Sequence, residues 1–144
     1  MTQVEIVRAK IKRLRHVTGL LHGCLPARPD ALAADEDVLH LVAFRVYLGL
    51  QEALDVASHV IADEGWGPAA SLREHFELLA RHGVLQPALA QSLADGVKVR
   101  NLIGHAYGDV DPAKLHAAAT ILPALLGDFC AQVLGFAEGV AARG

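Results

Sequence analysis

Arg100, Asn101, Leu102, Ile103, Gly104, His105, Ala106 and Tyr107 form the densest group of reactive side chains in the sequence. The order is an arginine, four residues, a histidine, one residue and a tyrosine, with an asparagine directly after the arginine. On a helix turning about 100° per residue, Asn101 and His105 share one face. Arg100 and Tyr107 fall on a neighbouring stripe two turns apart, and His105 stands about 140° from Arg100. A long guanidinium covers part of that angle, and a second subunit can supply the rest.

The set suits a phosphodiester. A guanidinium offers a planar fork of donors that holds a phosphate and stabilises charge developing on it. An imidazole titrates near neutrality and can move a proton to or from an attacking or leaving oxygen. No acidic cluster stands near the motif, which directs the reading toward metal-independent RNA cleavage, with the ribose 2′-hydroxyl attacking its own phosphate. Asn101 would orient His105 or the substrate, and Tyr107 would bind a phosphate or carry a modification. Spacing alone does not separate this chemistry from ordinary surface charge and helix-end contacts.

The elements that must position these residues are helical. Alanine and leucine dominate the apolar residues, which make up 53% of the 144, and 20% are charged, so one folded unit spanning 1–144 is expected and disorder is excluded. Val4, Val7, Ile11, Leu14, Thr18 and Leu21 recur at helical spacing in a first helix that stops near Gly23 and Pro26. Residues 26–30 read as a loop. Asp35 is a plausible cap for a long helix to about Asp63, with Leu39, Val42, Val46, Leu50, Leu54, Ala57 and Ile61 on its buried stripe. Phe44 and Tyr47 fall on or beside that stripe and read as core.

Gly65, Trp66, Gly67 and Pro68 break the long helix, and Ser71 with Glu74 has the form of a capping box opening a short helix that ends at His82 and Gly83. Pro87 starts a fourth helix that carries the motif to about Ala106. Asp111 and Pro112 start a last helix toward Gly139, with a bend expected at Pro123. Four longer helices and one short one predict an all-α, up-and-down antiparallel bundle.

Thirteen Lys and Arg against sixteen Asp and Glu give a net charge of -3, which excludes nucleic-acid binding by bulk positive charge. Five of the cations, Arg8, Lys10, Lys12, Arg13 and Arg15, sit in the first helix, where they serve an RNA backbone, a protein partner, or simply a solvated face. Cys24 and Cys130 are too few for a disulfide framework and read as core residues. The remaining histidines lack metal-ligand spacing, so no metal or cofactor is expected. Trp66 reads as packing at its turn. Without an apolar run of membrane-spanning length or a secretory start, the chain is expected to be cytoplasmic, with no membrane contact.

The string from Arg100 to Tyr107 resembles the signature of HEPN-domain proteins of the HepT type, the toxin halves of bacterial toxin and antitoxin pairs. The likeness runs from about Ala43 to Phe136. It includes the stretch from Ala53 to Gly65, Leu72 to Leu79 followed by Gly83-Val84-Leu85, and Gly108-Asp109-Val110-Asp111. Gly96, Val97, Lys98 and Val99 depart from the methionine-glycine-aromatic run found in many members.

This resemblance implies a HEPN-like homodimer whose Arg and His pairs meet at the subunit interface, acting as a metal-independent endoribonuclease of a type II or type VII-like pair. Arg100 and His105 would be catalytic and Asn101 supporting, with Asp55 and His59 a buried polar pair or cleft lining. The partner would be a minimal nucleotidyltransferase (MNT) antitoxin, which in some members transfers AMP to the tyrosine of the motif, here Tyr107. A phosphate and a base added there would repel and exclude RNA. The alternative is a non-catalytic, substrate-binding or regulatory subunit of that nucleotidyltransferase.

Overall fold

A computed structural model describes residues 1–106 and 109–144. Tyr107 and Gly108, and with them the expected modification site, lie outside the described residues. Six helices follow in order: α1 (Gln3–Cys24), α2 (Pro29–Ala34), α3 (Glu36–Glu64), α4 (Leu72–Arg81), α5 (Pro87–Ala106) and α6 (Pro112–Arg143), with no strand among the described residues.

Most boundaries follow from side-chain chemistry. Asp35 accepts from the amides of Asp37 and Val38, Ser71 from that of Glu74, and Asp111 from those of Ala113 and Lys114, so α3, α4 and α6 begin where the sequence places caps. Gly65 ends α3 at φ 72°, a left-handed conformation that side chains with a Cβ resist. At the N-terminus, Thr2 and Glu5 form a reciprocal capping box that opens α1.

Two expectations change. The expected loop at 26–30 runs into a short helix, α2, because Pro29 occupies a first helical position and Leu32 is fully buried. The last helix is continuous through Pro123 and extends past Gly139 to Arg143.

All six helices contribute to one apolar cluster, with Phe76 and Phe129 meeting edge to face at 5.9 Å. Burying each large apolar side chain stabilises by about 1.5–3 kcal/mol, whereas an exposed ion pair contributes about 0–1 kcal/mol, so packing sets the helix arrangement. Cys130 belongs to this core, and burial pushes its thiol up to about 11. The length and composition of α6 would suit a membrane span. Its stripe of Leu115, Ala119, Leu122, Leu126, Phe129, Cys130 and Val133 is instead buried in this cluster.

What positions the site is the close approach of α5 to α3. A Cβ placed on Gly96 would lie 3.1 Å from Leu50 Cδ2, and one on Gly104 would lie 3.4 Å from Tyr47 Cε2. Gly96, Arg100 and Gly104 are spaced by four residues and share one stripe of α5. The glycines admit α3, and Arg100 is the side chain between them.

Candidate active site

Arg100 is half-buried and turned onto α3. Its Nη2 donates to Tyr47 Oη at 3.1 Å and to Gln51 Oε1 at 2.8 Å, and its Nη1 donates to Asn101 Oδ1 at 3.0 Å. The guanidinium carbon lies 4.8 Å from the centre of the Tyr47 ring, within cation–π range. Nε is buried with no hydrogen-bond partner among the described residues, a cost of about 1–3 kcal/mol for a buried donor. Among the described residues, every partner of this cation is neutral.

An open groove of about 400 Å³, lined by His40, Ala43, Phe44, Tyr47, Ile103 and Gly104, meets Arg100 through Tyr47. His105 is exposed in the last turn of α5, free to meet a solvent-borne group or a second chain. Arg100 faces inward and His105 outward, in keeping with the angle expected from their spacing on one helix.

Asn101 bonds to Arg100, so its observed role is toward the arginine rather than toward His105. Asp55 and His59 are not a buried pair. The Asp55 carboxylate is 56% exposed and accepts from Lys10 Nζ at 2.7 Å, while His59 Nε2 shares a hydrogen bond with Gln3 Oε1 at 2.9 Å. Both join α3 to α1, and His59 lines a shallow recess with Gln3, Val4 and Phe136. The groove beside Arg100 is lined by other residues.

Phe44 is 58% exposed, contrary to its reading as core. It lies about 200° around α3 from the fully buried Val42, which turns it away from the packed stripe. Tyr47 is half-buried, its hydroxyl engaged by Arg100. Neither Tyr47 nor Gln51 stood out in the sequence as a site residue. The available signal was their four-residue spacing on a helix flank, which acquires meaning only once α5 is docked there.

Of the basic residues in α1, Arg8 pairs with Glu138, Lys10 with Asp55 and Arg13 with Glu52, and Lys12 and Arg15 are exposed with no carboxylate partner among the described residues. Trp66 packs as expected, stacked on His82 at 4.0 Å and tilted against Phe136 at 5.6 Å.

Residues 10–131 match the ribonuclease HepT-like family, which covers most of the chain, including α3 and the whole of α5. The chain belongs to the HepT-like ribonuclease family. A curated relative, the tRNA nuclease HepT of Aphanizomenon flos-aquae, is 31% identical over 68 residues, 47% of this chain and 46% of that protein. The match thus spans about half the length of that relative.

Solved structures share the fold. A tri-AMPylated HEPN toxin of Shewanella oneidensis, in complex with an MNT antitoxin, superposes with a TM-score of 0.74 at 19% identity, over 92% of this chain and 97% of that one. A toxin-antitoxin structure with AMP-PNP gives 0.74 at 18% identity, over 91% and 96%. The all-helical HepT-like architecture expected from the sequence is therefore the one observed.

Proposed function

We propose that this HepT-like chain is a metal-independent endoribonuclease, the toxin of a HEPN/MNT pair, acting in the cytoplasm. Arg100 binds the scissile phosphate and stabilises the charge that builds on it as the ribose 2′-hydroxyl attacks. His105 moves the proton at the attacking or leaving oxygen. Asn101 supports the arginine through its bond to Nη1. The observation that carries this reading is a guanidinium whose partners among the described residues are all neutral, one of them lining an open groove, in the same helix as an exposed histidine.

The working unit is a homodimer. Phe44, 58% exposed on α3, and Leu102, 60% exposed on α5, are apolar surface that a second copy would cover. That copy would also bring another Arg100 and His105 toward the same cleft. The partner is an MNT-type nucleotidyltransferase antitoxin, which silences the site by adding AMP at Tyr107; its support is the family membership and the complexes formed by proteins of the same fold.

The test is cleavage of a mixed RNA pool by purified, unmodified protein in EDTA, alongside His105→Ala. The expected result is cleavage leaving cyclic phosphate ends, absent in the variant. Cleavage that survives in His105→Ala removes the histidine from the mechanism, and no cleavage by either protein replaces the enzyme reading with that of a nucleotidyltransferase subunit.

A further inference from the structure

The sequence motif accounts for Arg100 but not for the two residues of α3 that grip it. Tyr47 and Gln51 are one turn apart on α3 and both accept from the same nitrogen, Nη2, at 3.1 and 2.8 Å. With Asn101 on Nη1, the guanidinium is bound at both terminal nitrogens. The Tyr47 ring contributes a third restraint through its face, 4.8 Å from the guanidinium carbon. An arginine side chain carries about 2 kcal/mol of rotamer entropy, so a free one at this surface would sample many orientations before meeting a phosphate.

The placement of the grip bears on function. Tyr47 lines the groove beside Arg100, and α5 reaches it through Gly104, whose missing side chain leaves room for the ring. Neither Tyr47 nor Gln51 places a carboxylate on the cation. Orientation is fixed while the charge stays available to a ligand.

We propose that Tyr47 and Gln51 are positioning residues for Arg100, fixing the plane and rotation of its guanidinium for an RNA phosphate entering the groove. This rests on the reading of Arg100 as the phosphate ligand. Misplacing a reacting group by about 1 Å costs about a hundredfold in rate, and loosening one that still visits the right position costs less, about tenfold.

Two readouts on the full-length protein separate the inference from that reading. The first is the nitrogen NMR spectrum of arginine-labelled protein, with Arg100 assigned through Arg100→Lys. A gripped guanidinium gives two resolved Nη signals, and a freely rotating one gives a single averaged signal. The wild type should show two sharp signals, and a Tyr47→Phe and Gln51→Leu double variant, left with Asn101 and the ring face, should show them broadened toward one, with an unchanged melting temperature. The second is single-turnover RNA cleavage, expected to slow about tenfold in the double variant while RNA affinity changes less than twofold.

Resolved Nη signals that persist in the double variant, or an undiminished rate, overturn the proposal. Should the double variant fail to fold, Gln51→Leu alone, at an exposed position, decides by the same criteria. If the wild type cleaves no RNA, the nuclease reading fails and this catalytic role with it, while the spectrum separately establishes whether α3 holds the guanidinium.

Discussion

On the side of α3 that meets α1, Lys10 reaches Asp55 and Arg13 reaches Glu52, each at 2.7 Å; on the side that meets α5, Arg100 reaches Tyr47, Gln51 and Asn101. Lys10 and Arg13 are each paired with a carboxylate, whereas Arg100 has none among the described residues; Arg45 of α3 is likewise held by a neutral acceptor, the Leu20 carbonyl of α1. A carboxylate neutralises the charge it holds, so these two α1 contacts are complete in themselves and contribute little at the surface. Neutral acceptors hold a guanidinium in place without cancelling it, which is the state a phosphate-binding arginine needs. Neutral partners set Arg100 apart from Lys10 and Arg13, and the groove lined by its partner Tyr47 sets it apart from Arg45.

The largest effect that can break this comparison is removal of the unpaired cation. Arg100→Ala should slow RNA cleavage by about a hundredfold to a thousandfold, as loss of a charge-stabilising donor does. Its melting temperature should hold, since neutral partners left behind can turn to water; paired kinetics and thermal denaturation check both parts. A smaller effect sharpens it: Gln51→Glu makes the α5 contact resemble the α1 contacts. Cleavage should then fall about fivefold while stability rises by up to about 1 kcal/mol, the magnitude of an exposed ion pair. Rate and urea midpoint measured together distinguish this from simple damage.

The smallest effect belongs to α1. Arg13→Ala should lower stability only slightly and leave cleavage unchanged. Raising the salt concentration should shrink that stability difference further, because the pair is exposed to screening. Urea denaturation at two ionic strengths tests both statements.

Much of the fold was legible because local chemistry writes it. Asp35, Ser71 and Asp111 cap the helices they were expected to cap, and Gly65 stops α3 where only a left-handed residue can. The helix α2 was missed because its six residues are too few to show a period, although Pro29 marked its start. Phe44 was misread from its type; the period of α3 already placed it away from Val42.

The site was legible to a lesser degree. Arg100, Asn101 and His105 stand together in the sequence, and the structure places the first inward and the last outward on α5. The bond from Arg100 to Tyr47 joins residues 53 apart and the bond to Gln51 joins residues 49 apart, separations at which no helical period carries information. The Asp55 and His59 expectation erred for a related reason. Four-residue spacing put them on one face of α3, but α1 supplied nearer partners in Lys10 and Gln3.

The most direct test of the central claim keeps the charge and changes only its shape. RNA cleavage rates of Arg100→Lys and Arg13→Lys would be measured side by side with the wild type, with folding verified by thermal denaturation. Lysine retains a positive charge at both positions but has no planar fork for Tyr47, Gln51 and a phosphate to share. The account predicts a loss of about a hundredfold or more in Arg100→Lys and a wild-type rate in Arg13→Lys. Equal rates in all three proteins would contradict it, because the gripped guanidinium would then have no part in the chemistry.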